Sequence, residues 1–138
     1  MAEPRAARED DIPRLMEIRA AVRENRLRGR VIGPGEYGPY VADGRCWVWE
    51  KAGIVQGFAA LDAKAASVWA LFVAPDSEGS GIGRFLLDRL VAEARRRGLP
   101  ALTLETAAGT RAERFYLRAG WRLAGKDRKG ALKLRLPL

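Results

Sequence analysis

The chain has 138 residues, a size that suits one domain with a real core, and its 48% hydrophobic content excludes a disordered chain. It has no histidine, which excludes Ser-His and Cys-His nucleophilic machinery and histidine metal sites. A net charge of +8 suits nucleic acid, a phosphorylated cofactor or acidic substrate, or simply a basic surface.

The opening MAEPRAARED has no apolar signal core, and residues 4–8 read as a short strand. Asp10 or Asp11 can cap a helix with Pro13 in its first turn. Leu15, Ile18 and Val22 recur at helical spacing, with Ile12 and Met16 beside them. Arg19, Arg23, Glu24, Arg26 and Arg28 read as its polar, exposed face, with a substrate contact by one of them as the alternative. Residues 28–44 form a Gly- and Pro-containing loop with a short helix around 36–41. Its Tyr37 and Tyr40 either contact a substrate or cover the edge of the core.

Residues 46–51, 54–61 and 68–73 are three strands joined by tight turns, an antiparallel meander. The single Cys46 excludes an internal disulfide framework, suits a reducing cytosol and reads as a small buried residue. Trp47 and Trp49 suit either an apolar or cationic acceptor or the core. No stretch is long and apolar enough to span a bilayer, and no nucleic-acid motif appears. The expected setting is the cytoplasm, with neither membrane nor nucleic acid as partner.

The third strand runs into Pro75-Asp76, then a loop with Gly79, Gly81 and Gly83, then a helix over 82–97 that ends at Gly98 with Pro100 beyond. Read alone, strand, glycine loop and helix are either a bare turn or a seat for a phosphate-bearing cofactor at a helix N-terminus. Gly83-Arg84-Phe85 lacks the Gly-Lys-Ser/Thr of a Walker loop. Arg84 also stands where a dinucleotide fingerprint needs its third glycine. Arg95, Arg96 and Arg97 sit at a helix C-terminus, where cations belong on structural grounds.

Residues 101–106 form a strand that a right-handed crossover sets parallel to 68–73, with the glycine loop at their shared end. Thr110 and Glu113 make a capping box. The next helix carries Ala112, Phe115, Tyr116 and Ala119 on one side and ends at Gly120. A strand at 121–124, a polar turn at 126–130 and a strand at 131–136 complete the chain.

Glu78-Gly79-Ser80-Gly81-Ile82-Gly83 resembles the acyl-coenzyme A pyrophosphate loop of the GCN5-related N-acetyltransferases. There the pattern is Gln or Arg, two residues, Gly, any residue, then Gly or Ala. Ala112, Phe115-Tyr116 and Gly120-Trp121 match the spacing of that family's last helix, and Arg8, Asp11 and Leu15 fit its N-terminus. The resemblance covers nearly the whole chain, with Glu78 and Gly109 departing from the family's Gln/Arg and Asn.

The resemblance implies an α/β fold: a mixed, mostly antiparallel sheet with a splayed central parallel pair and helices on both faces. Residues 1–138 would be a single N-acetyltransferase domain. It implies acetyl-coenzyme A as cosubstrate, no metal, an unidentified primary amine on a small molecule or peptide as acceptor, and room for a homodimer. Direct transfer would pass through a tetrahedral species. Backbone groups of Leu71, Phe72 and Val73 would pair with the pantetheine arm. The N–H groups of Gly79, Ser80, Gly81, Ile82, Gly83 and Arg84 would hold the pyrophosphate. Gly109 and Arg118 would stand on the cofactor side, with Arg84 and Arg118 toward the 3′-phosphate. Glu78 would point to solvent while Arg84 supplies positive charge. Tyr116 would be the general acid and Glu105 the base acting through water, with Glu24 as its alternative. A non-catalytic acyl-coenzyme A module and a basic nucleic-acid-binding protein are the competing readings.

Overall fold

The computed structural model describes residues 3–22 and 32–138. The chain runs β1 (Arg5–Ala6), a 3-10 turn (Glu9–Asp11), α1 (Ile12–Ala21), α2 (Pro34–Ala42), β2 (Cys46–Lys51), β3 (Ile54–Asp62) and β4 (Ser67–Val73). A second 3-10 turn (Pro75–Ser77) leads to α3 (Ile82–Arg96), β5 (Ala101–Ala107), α4 (Arg111–Arg118), β6 (Arg122–Lys126) and β7 (Ala131–Pro137). The strands form one sheet in the order β1-β2-β3-β4-β5-β7-β6, antiparallel except for β4 and β5.

This is the expected mixed α/β sheet with its central parallel pair. The last hairpin holds a detail that periodicity cannot supply: β7 inserts between β5 and β6, leaving β6 at the edge. The first strand is shorter than expected, Arg5–Ala6 rather than 4–8. Asp11 accepts the Arg8 N–H at 2.7 Å and two hydrogen bonds from Arg5, tying β1 to the entry of α1.

The sheet is buried on both faces, as β2 shows. Trp47 packs under α3 while its neighbour Val48 packs under α1, because successive side chains on a strand point to opposite faces. The α3 and α4 side gathers Trp47, Leu61, Leu86, Leu90, Leu102 and Leu134. The α1 and α2 side gathers Leu15, Ile18, Tyr37, Phe58, Ala60 and Ala70. Trp47 and Trp49 are therefore core residues, with Trp49 stacked on Phe85. Cys46 is buried in the opposite core, and burial pushes its thiol up to about 12.

Gly57 sets the approach of α3 to the sheet. A Cβ there would lie 3.0 Å from Ile82 and from Leu86 and 3.1 Å from the Phe72 carbonyl oxygen. A side chain at this position would lift the first turns of α3.

At its other end α3 carries Glu93, buried although charged. Hydrogen bonds from Arg96 first, and from Arg97, hold its carboxyl down at about 2, against the desolvation that opposes them. Arg97 also reaches Asp43 at the end of α2. The arginine run is thus structural, as its place in the helix implies. A carboxyl whose folded pKa is depressed stabilises above its ordinary 4.5 and loses that contribution as pH falls toward about 2. Glu93→Gln is expected to lower stability by about 1–2 kcal/mol at pH 7. The deficit should shrink steadily below pH about 4.5; urea unfolding of both proteins at pH 7 and near pH 2.5 measures it.

Candidate active site

The site begins with a fault in β4. On β3 the register passes from Ala60 opposite Ala70 to Leu61 opposite Val68, so Trp69 has no partner across the ladder. Such an extra residue bends its strand and increases the local twist. On the other side β4 meets β5 only at Ser67 and Thr103, with Thr103 N–H donating to the Ala66 carbonyl at 3.0 Å. Beyond that point the two strands part. Leu71, Phe72 and Val73 lie on the open stretch and are half-buried.

Above the opening stands the glycine loop. Gly79 and Gly81 have φ of +76° and +87°, values that favour glycine. Nothing lies within 4 Å of a Cβ built at Gly79, and only the Phe85 ring, at 3.8 Å, at Gly81. Gly81 is the N-cap of α3, and the first helical bond runs from Phe85 N–H to its carbonyl at 3.2 Å. The backbone N–H groups of Ile82, Gly83 and Arg84 have no intrahelical acceptor by geometry. Ser80 turns its hydroxyl back to the Ser77 carbonyl, which tightens the loop. A cradle without side chains, at the positive end of a helix, fits a diphosphate.

Two charges differ from expectation. Glu78 is exposed, but its carboxylate pairs with Arg111, the first residue of α4, and not with Arg84. Arg84 is committed to Asp88 at 3.0 Å, one helical turn along. The reason is local: β5 delivers α4 beside the loop, and Arg111 is the cation that arrives there. Arg118, also exposed, sits at the far end of α4, about 10 Å further along at 1.5 Å per residue.

α4 begins with an accurate cap. Thr110 accepts the Glu113 N–H at 3.2 Å and donates to the Ala107 carbonyl at 2.8 Å, while Glu113 accepts the Gly109 N–H at 2.7 Å. Gly109 has φ of +78° with open space around it. The helix brings Phe115 within 3.5 Å of a Cβ at Gly83, where Val73 stands at 3.6 Å. Tyr116 follows, 7% exposed, its ring edge-on to Phe115 at 5.1 Å and to Trp121 at 5.3 Å. Burial raises its hydroxyl above the ordinary range, so it stays protonated.

Glu105 is exposed on β5, opposite Lys133 of β7 and on the face away from Leu102 and Leu104. Glu24, its alternative, lies outside the described residues, as do Arg23, Arg26 and Arg28. The structure brings Val73, Gly83, Phe115 and the Glu78–Arg111 pair together around the opening, with Tyr116 beside them; Arg118 and Glu105 stand apart.

Two residues escaped the sequence reading. Arg111 gives no signal, since its partner is distant in the chain. Arg19 was expected on an exposed face but is buried against Trp69 and Phe72. Its spacing of four from Leu15 was a usable sign that it faces the sheet.

The loop supplies two tests. Gly81→Asp adds bulk, a positive-φ strain and a negative charge, and should abolish acetyl-coenzyme A binding by calorimetry in a variant that melts as a folded protein. Arg111→Ala leaves the Glu78 carboxylate facing the cradle and is expected to weaken that binding about tenfold, with Glu78→Gln in the same chain restoring most of it.

Residues 42–123, more than half of the chain, match the family model described as acetyltransferase (GNAT) domain. No curated protein sequence matches the chain. Among solved structures it is similar to a ribosomal-protein-alanine N-acetyltransferase from Brucella melitensis, 26% identical, TM-score 0.79, over 99% of this chain and 100% of the other. It is similar also to yncA from Salmonella typhimurium, solved with its cofactor acetyl-CoA, 22% identical, TM-score 0.80, over 98% and 92% of the two chains. The PaiA N-acetyltransferase from Thermoplasma acidophilum, in complex with coenzyme A, is 14% identical with TM-score 0.82 over the full length of both chains. These last two likenesses carry the fold. The family model, the parted strands and the glycine cradle agree: this chain belongs to the GNAT family, as an acyl-coenzyme A-dependent acetyltransferase.

Proposed function

We propose that the chain, working as one unit over residues 1–138, moves the acetyl group of acetyl-coenzyme A directly to a primary amine. The observation that carries this reading is the gap between β4 and β5, open past Ser67 and capped by the Gly79–Gly81 cradle at the start of α3. The setting is the cytoplasm, without metal, and a homodimer is compatible with it.

We assign the roles as follows. Leu71, Phe72 and Val73 offer backbone groups to the pantetheine amides, and Gly79 through Arg84 hold the diphosphate. Arg84 and Arg118 are the cations for the 3′-phosphate, and the open space at Gly109 lets the cofactor pass α4. The amine attacks the thioester carbonyl as its free base, and a backbone N–H at Phe72 or Val73 stabilises the oxyanion of the tetrahedral species. The carbon–sulfur bond then breaks, and the thiolate takes the Tyr116 proton. The proton shed by the amine leaves through water to Glu105.

Tyr116 enters this step protonated and so able to donate. A free thiol titrates near 8.5 and a free tyrosine near 10. Burial disfavours both anions, so the thiolate becomes a stronger base in the same enclosure that makes Tyr116 a weaker acid. Proton delivery of this kind contributes about 10²–10⁴ in rate.

Tyr116→Phe keeps the ring contacts with Phe115 and Trp121 and removes only the hydroxyl. Turnover, followed as thiol release across a panel of primary amines, is expected to fall by about 10² or more. Acetyl-coenzyme A affinity and melting temperature should hardly change. Near-normal turnover with chemistry rate-limiting rules out this role. Tight binding without thiol release from any amine identifies a non-catalytic module instead.

A further inference from the structure

Arg19 stands one helical turn after Leu15 on α1 and faces the sheet. The residue is 8% exposed, and its Nε and Nη1 are enclosed without a hydrogen-bond partner among the described residues. Its guanidinium carbon lies 4.7 Å from the centroid of the Trp69 ring and 4.9 Å from that of Phe72. Ring faces attract a cation but satisfy none of its in-plane N–H donors. Tyr37 meets the same Trp69 edge-on at 5.2 Å, is 1% exposed, and its hydroxyl is likewise enclosed with no partner among the described residues.

Buried charges in folded proteins are paired, and among the described residues no group complements this cluster. The neighbouring carboxylates are committed elsewhere. Glu36 accepts the Gly33 N–H at 3.1 Å, Asp62 the Ala65 N–H at 3.0 Å, and Asp43 bonds Arg45 and Arg97. A cavity of about 510 Å³ lies next to this cluster; Tyr40 and Trp69, stacked at 4.3 Å, form part of its wall, while Arg19 and Tyr37 do not line it and adjoin it only through Trp69. Trp69 is also the bulge residue of β4, two positions before Leu71. The unmet donors therefore lie beside the strand that opens the groove, on the sheet face opposite α3.

We infer that Arg19 and Tyr37 form an anion subsite and that the acceptor is a primary amine carrying a carboxylate, of amino-acid type. This rests on the transferase reading above. A planar carboxylate matches the guanidinium fork, and the Trp69, Phe72 and Phe58 surroundings favour a singly charged flat group over a more strongly hydrated phosphate dianion. The carboxylate reaches the enclosed N–H groups from the cavity by displacing the Trp69 ring that adjoins both, leaving the amine toward the open stretch of β4.

The test pairs alanine, phenylalanine and glutamate with their carboxamides, compared at equal concentrations of unprotonated amine. Separately, coenzyme A-saturated protein is titrated calorimetrically with N-acetylalanine and N-acetylphenylalanine and with their carboxamides. The free carboxylates are expected to be preferred about tenfold or more in kcat/KM and in Kd. Arg19→Met should abolish the preference while leaving carboxamide turnover, coenzyme A affinity and melting temperature nearly unchanged; Arg19→Lys should keep part of it. If Arg19→Met does not fold, Arg19→Lys and Tyr37→Phe carry the test, each weakening only the carboxylate forms. Equal handling of the two forms by the unaltered protein overturns the inference. So do a preference that survives in Arg19→Met, an equal loss of both forms, and failure of every acetylated product to bind. If acetyl-coenzyme A binds but no amine releases thiol, the transferase reading fails, and the product titration still decides the subsite.

Discussion

The molecule turns on one broken ladder. Trp69 is one residue too many for β3 to match, and β4 leaves β5 after a single pairing at Ser67 and Thr103. Backbone N–H and carbonyl groups need partners, so a strand edge inside a sheet without its neighbour is unstable unless something else bonds it. Here that edge lies in the middle of the sheet rather than at its border. An extended chain with amides of its own can enter and complete the ladder, which is how a bulge becomes a binding groove.

The groove is useful only because α3 and α4 arrive at its mouth. Gly57 lets α3 settle within contact of β3 and β4, so the positive end of the helix points over the opening. At Gly83 a Cβ would sit in ordinary contact with Phe115 of α4, at 3.5 Å, so α4 packs close against the start of α3. The charges here are arranged in pairs: Glu78 with Arg111 and Arg84 with Asp88. With a net charge of +8 the protein still draws anions from a distance, while these local pairs keep the cradle close to neutral.

The two faces of the sheet are built differently. The α3 side is an apolar core, with Glu93 neutralised by the arginines of its own helix. The α1 side places a guanidinium among Trp69, Phe72, Tyr37 and Phe58. A core built only for stability would have an apolar side chain at Arg19, since burying an unpaired charge is costly. The face that carries this cost is the one away from the diphosphate cradle.

By itself the sequence determined the order of elements, the meander, the parallel crossover and the glycine loop. Each of these is a local pattern: an apolar run ended by Pro75, glycines at alternate positions, the Thr110 and Glu113 cap. The family likeness was legible for the same reason, since its motifs are short and contiguous. Only the tertiary structure decided what depends on distant partners. The Trp69 bulge exists because β3 and β4 pair out of step, and neither strand shows that alone. β7 lies between β5 and β6 because Leu132 and Leu134 extend the buried row of Leu102 and Leu104, a match made across the sheet. The partner of Glu78 and the burial of Arg19 were hidden because charge in a sequence has no partner until packing supplies one. Glu78 found Arg111 across 33 residues of chain, and Arg19 found rings instead of a carboxylate.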